Sequence, residues 1–185
     1  MTIDFGSKLF IVLFVGLSIV CFLKIKKNIY KVVGMLFSFY LLCLIKIVFF
    51  PIYVPCKMEI QEFKNAMPGD FSMIQYVPFK NIILTLQSSN FLIQIGGNIV
   101  LLIPFVLFTA LFLDYKKKYT MKKMIILGVG LSVIIETIQA IINILAQYPN
   151  RIADIDDIIL NSIGVVLATI VYSGIRKMFL SKRLI

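Results

Sequence analysis

Five apolar stretches, at about Leu9–Leu23, Val32–Val54, Phe91–Leu113, Met124–Leu145 and Ile158–Ile175, take up more than half of the chain. A helix needs roughly 20 apolar residues to cross a ~30 Å hydrocarbon core. The stretches are of that order, and the last reads on to Phe179. A chain of 185 residues built this way has no room for a soluble catalytic domain, a nucleotide-binding fold or a disulfide scaffold. Only 15% of its residues are charged, where a soluble domain carries about a quarter. The expected fold is therefore all-α: a polytopic membrane helix bundle of about five transmembrane helices plus an interfacial helix, forming one domain over residues 1–185.

The formal charge of +10 admits two explanations, a nucleic-acid partner or cytoplasmic loops, and position decides between them. Segments 24–31 (Lys24, Lys26, Lys27, Lys31), 114–123 (Lys116, Lys117, Lys118, Lys122, Lys123) and the stretch after 175 (Arg176, Lys177, Lys182, Arg183) hold 13 basic residues. The intervening segments hold five: Lys8, Lys57, Lys64, Lys80 and Arg151. In a five-span chain all the rich segments fall on one side, which predicts the N-terminus outside and the C-terminus in the cytoplasm. No nucleic acid is needed to explain the charge. The first stretch lacks a basic leader and a small-residue cleavage site, so it reads as a retained anchor. Val20 before Cys21 likewise argues against a lipoprotein signal. With no His, and with Cys21, Cys43 and Cys56 widely spaced, zinc and a Cys/His nucleophile find no ligand pattern.

Residues 55–90 form the longest outer loop. Within it Pro78 suits a first helical position, and Phe79, Ile82, Ile83 and Leu86 draw one apolar stripe. Residues 78–89 read either as a helix lying in the outer membrane surface or as a loop packed over the bundle.

The polar residues inside the spans share a layer. At ~1.5 Å of rise per residue, Lys46 lies ~21 Å from Val32, Asn98 ~22 Å from Leu113, Glu136 ~18 Å and Gln139 ~22 Å from Met124, all measured from the cytoplasmic side. Asn161 lies ~4 Å below the outer end of the fifth span. An ionisable group inside a span costs about 2.5–3.5 kcal/mol, so Glu136 and Lys46 should pair or line a wet cavity. Glu136, Gln139 and Asn143 stand at i, i+3 and i+7 on one helix face. Asp154, Asp157, Asn161 and Gly164 form a second stripe, and Gly164 with Ala168 makes a small-residue seam for close helix approach. Structural roles compete with functional ones: Asp154 and Asp157 as an N-cap and acidic first turn, Arg151 as an aspartate's partner, Lys46 as a snorkelling side chain, and Asn98 as interhelical glue.

The pattern Glu136-x-x-Gln139, Arg151-x-x-Asp154-Ile155-Asp156-Asp157, Asn161-x-x-Gly164 resembles the signature of the VanZ-like family of small bacterial membrane proteins. Asn98 with Pro104-Phe105, and Val77-Pro78-Phe79, are similar to the family too, so the likeness covers about residues 76–172. Val106 and Ala168 stand where the family usually has glycine, which bears on helix packing rather than on the polar site. The resemblance implies an integral protein of the bacterial cell envelope. It also implies a link to low-level glycopeptide resistance, to teicoplanin more than vancomycin.

Three functional readings follow. In the first, an outward-facing polar pocket alters or shields a surface component, a membrane lipid or cell-envelope molecule. Arg151 would hold an anionic group, Asp154, Asp156 and Asp157 a cationic group or divalent ion, and Glu136, Gln139, Asn98, Asn161 and Lys46 would complete the pocket. In the second, an enzyme works on a lipid-linked precursor or phospholipid headgroup, with Glu136, Asp156 and Asp157 catalytic and the three aspartates holding Mg²⁺ or Mn²⁺. The third, a small transporter or flippase, lacks an inverted repeat to support it. Oligomeric state is not legible in the chain.

Overall fold

The computed structural model describes residues 1–66, 73–86 and 88–181. Its helices are α1 (Ser7–Lys24), α2 (Asn28–Phe49), α3 (Lys57–Ala66), α4 (Lys80–Leu86), α5 (Phe91–Leu101), α6 (Ile103–Tyr115), α7 (Met121–Ala146) and α8 (Ile155–Ser181). Four two-residue strands join them: β1 (Thr2–Ile3), β2 (Ile52–Tyr53), β3 (Ile74–Gln75) and β4 (Ala153–Asp154). Five stretches are long and apolar enough to cross a membrane, with α5 and α6 together forming the third. The chain is thus a multi-pass membrane protein and nearly all-α.

The bundle is built around α8, which packs on α4, α5, α6 and α7. Leu44, Val48, Leu102, Val106, Ala110, Met124, Ile135, Val165 and Ala168 make its core. Helix α1 buries no residue and leans on α2, with Phe10 and Phe14 each 5.6 Å edge-on to Phe39. An all-round apolar helix of this kind suits a lipid surround.

Helix ends follow local chemistry and correct several sequence boundaries. Helix α2 stops at Phe49 because Pro51 and the restricted residue before it do not continue a helix. The third span breaks at buried Leu102, since Pro104, in the first turn of α6, has no N–H for the Val100 carbonyl. Helix α7 is capped by Thr120, whose Oγ1 accepts the Lys123 N–H at 3.2 Å.

Helix α3 has no counterpart among the expected elements. Glu59 Oε2 reaches back to accept the Cys56 N–H at 2.6 Å, half of a capping box. The Tyr53 hydroxyl donates to Glu59 Oε1 at 2.6 Å, which holds the Glu59 carboxyl below its ordinary range and pushes the Tyr53 phenol up to about 12. Helix α4 is shorter than the expected 78–89, of which residue 87 lies outside the described residues. Phe79 takes a left-handed φ of 66°, so the helix starts after it and not at Pro78. Phe79, Ile83, Leu84 and Leu86 are exposed, leaving an apolar surface free at the edge of the bundle.

The two ends of the bundle are distinct. At one, β1 pairs antiparallel with β2, the Met1 ammonium donates to the Val54 carbonyl at 2.8 Å, and Asn150 exchanges hydrogen bonds with the Tyr53 backbone. At the other, Tyr30 packs on Tyr115 at 4.2 Å and Arg176 pairs with Asp114 at 2.9 Å. The lysine-rich segments 24–31 and 114–123 therefore share an end with the close of α8. Lys182 and Arg183 lie outside the described residues. Reporter fusions at Lys118 and Asn150 are expected on opposite sides of the membrane; the same side for both would refute the five-span path.

Candidate functional site

The polar face of α7 is a rack that holds backbone. Asn143, fully buried, accepts the N–H groups of Asn150 (3.0 Å) and Arg151 (3.5 Å) on Oδ1 and donates Nδ2 to the carbonyls of Arg151 (2.5 Å) and Met73 (3.3 Å). One amide thereby satisfies several backbone groups of the turn between α7 and α8. Gln139 donates to the Val48 carbonyl at 3.1 Å, one of the groups orphaned at the end of α2. Glu136 Oε2 accepts the Asp154 N–H at 2.9 Å.

The parallel pairing of β3 with β4, Ile74 beside Ala153 and Gln75 beside Asp154, brings the segment before α4 against the start of α8. There the three aspartates divide their work. Asp154 caps α8, its Oδ1 taking the Asp156 N–H at 2.9 Å and the Gln75 amide at 3.4 Å, while Oδ2 takes the Asn81 amide at 2.5 Å. Asp156, 1% exposed, reaches across to α4: Oδ1 accepts the Phe79 N–H (2.5 Å) and Oδ2 those of Asn81 (2.8 Å) and Ile82 (3.0 Å). A carboxylate at a helix N-terminus satisfies free N–H groups and opposes the dipole. Asp157 Oδ1 accepts the side-chain amide of Asn98. Deeper in, Asn161 donates to Ser132 Oγ at 3.0 Å, and its own buried Oδ1 has no partner among the described residues.

Around this junction lies a cleft of about 630 Å³ between α4, α5 and α8. Asn81, Asn98, Arg151 and the three aspartates line its polar side, and Ile47, Leu101 and Leu160 its apolar side. Glu136 does not open onto it, facing a separate cavity of about 250 Å³ beside Ile158. Gln139 sits near Arg151 in a small crevice behind the cleft. Of the readings open for Lys46, its position suits snorkelling and not a pair with Glu136. With α2 ending at Phe49 it stands one turn from the helix end, exposed, and forms no ion pair with Glu136. Arg151 forms no ion pair among the described residues either; its Nη2 donates to the Phe50 carbonyl at 3.4 Å, at the negative end of α2.

The aspartates do not fit a Mg²⁺ or Mn²⁺ site. Five of their six oxygens accept N–H groups, leaving only Asp157 Oδ2. Among the described residues no three carboxylate or thiol groups come together in a way that would hold a metal ion. Asn81 and Gln94 line the cleft without having been expected there. Only the position of Asn81, soon after Pro78-Phe79, hinted at its role. Asn143 was already marked by its place in the α7 stripe.

Five spans closed over a buried acidic junction, with a mixed-charge cleft at one end, define a polytopic membrane protein built around a polar site. The family model described as VanZ/LLP1 matches residues 37–179, and the chain belongs to that family. The match takes in most of α2 as well as the polar signature, leaving out α1. No curated protein and no solved structure matches the chain.

Proposed function

We propose that the chain is a bacterial cell-envelope protein, N-terminus outside and C-terminus in the cytoplasm, whose outward cleft holds a membrane lipid or another envelope component. By altering or shielding that component it lowers the access of glycopeptide antibiotics, teicoplanin above all. One observation carries the reading: Arg151 and Asp157 line the same cleft, next to an apolar wall, and neither forms an ion pair among the described residues. Arg151 is exposed and Asp157 partly buried, so the cleft presents one charge of each sign to whatever enters it. The family supports the envelope setting.

Arg151→Ala and Asp157→Asn are expected to bring teicoplanin tolerance down to that of cells lacking the protein, with membrane abundance close to wild type. Wild-type tolerance in both variants would defeat the proposal. An enzyme acting on the same component would use Asp157 as its base, since Glu136 faces the other cavity and Asp156 has both oxygens engaged. Turnover of the bound component by purified protein separates catalysis from binding.

A further inference from the structure

The cleft has two open valences and they do not close on each other. Asp157 Oδ2 has no hydrogen-bond partner among the described residues, while the other five aspartate oxygens of the cleft are engaged. The Arg151 guanidinium spends one donor on the Phe50 carbonyl, at 3.4 Å, and has no other partner among the described residues. Both groups line the cleft, yet no ion pair joins them.

A ligand that satisfies both carries an anion and a cation together. Guanidinium matches phosphate, with two parallel N–H···O bonds. A carboxylate oxygen with no donor calls for a group that brings both charge and N–H, which a primary ammonium does and a quaternary one does not. A purely anionic headgroup would answer Arg151 but set like charge against Asp157. The cleft's hydrophobic flank fits the same ligand: Ile47 and Ile93, 60% and 76% exposed, border it on the outside of the spans, where acyl chains run.

We propose that the cleft takes the headgroup of a phospholipid with a primary amine, phosphate on Arg151 and ammonium on Asp157, with Asn98 holding the carboxylate in place. This rests on the reading that the cleft binds an envelope component, and it names that component's chemistry. The experiment is calorimetric titration of the purified full-length protein in detergent with dihexanoyl phosphatidylethanolamine, phosphatidylcholine and phosphatidylglycerol, and with free O-phosphoethanolamine. Phosphatidylethanolamine is expected to bind roughly tenfold tighter than the other two lipids, about the effect of one charge-assisted hydrogen bond. Asp157→Asn, which keeps the shape and the Asn98 contact, should erase that preference, and Arg151→Gln should weaken all three lipids. Both variants are first checked for wild-type thermal unfolding.

Equal affinity for the three lipids, or a preference that survives Asp157→Asn, overturns the headgroup assignment while leaving a lipid-binding cleft. O-phosphoethanolamine binding as tightly as the lipid overturns the lipid as the source. Absence of binding by any of the probes overturns the assignment as well. The tolerance of Arg151→Ala cells reports separately on the underlying reading.

Discussion

Replacing Gly164 by alanine is expected to strip the folded protein from the membrane almost completely. The new Cβ would stand 1.8 Å from the Ile99 carbonyl oxygen, inside any possible contact distance, and the obstacle is backbone. Overpacking a core costs about 1–3 kcal/mol, occasionally more, when side chains can shift to absorb it. Here the only relief is for α5 to move away from α8, which pulls Asn98 off Asp157 one residue away. The cost therefore belongs at or above the upper end, about 3 kcal/mol, against a total stability of roughly 5–15 kcal/mol for a typical domain. Steady-state level should fall roughly tenfold or more. Gly174→Ala is the control, since nothing lies within 4 Å of the Cβ it would gain. Immunoblots of membranes and thermal unfolding in detergent read both. A Gly164→Ala protein at wild-type level would mean that α5 and α8 do not cross so closely.

That seam was legible in the chain because helical spacing alone puts Gly164 and Ala168 on one face. The spans were legible for a similar reason: hydropathy over about 20 residues is a property of the local sequence. Counting rise per residue put Asn98 and the start of the fifth span in the same layer without naming a partner, and in the fold Asn98 binds Asp157. Helix α3 escaped because ten residues of mixed polarity carry no span signal; the Cys56-x-x-Glu59 spacing was its only mark. For Lys46 the chain left pairing with Glu136 and snorkelling both open, and its exposed place one turn from the end of α2 is compatible with the second. What no local pattern carries is which carboxylate serves which helix. Asp156 looks like part of an acidic first turn of α8, yet its oxygens serve a helix that begins 76 residues earlier, at Lys80. Only the packed fold, with β3 beside β4, brings the two together.

Asp156→Asn is accordingly expected to act on stability rather than on the site's chemistry. Three backbone N–H groups converge on that carboxylate, and it is almost fully buried. Asparagine keeps one acceptor oxygen. If that oxygen retains Asn81 and Ile82, the new amide points its own N–H groups at the Phe79 N–H. One donor is then orphaned and the remaining bonds lose their charge. Hydrogen bonds to charged groups contribute about 1.5–3 kcal/mol each, and an unsatisfied buried donor costs about 1–3 kcal/mol, so a net loss of about 3 kcal/mol is expected, with more for Asp156→Ala. The loss should be local first, because α4 has seven residues and depends on this external cap. Hydrogen exchange in residues 80–86 should accelerate, and membrane abundance should drop. Activity per surviving molecule should hold, which is the opposite of the pattern expected for Asp157→Asn, where abundance holds and tolerance goes. An Asp156→Asn protein with wild-type abundance and exchange but no tolerance would return Asp156 to the ligand's side of the cleft. In that case its three N–H partners would be the incidental contacts and not its purpose.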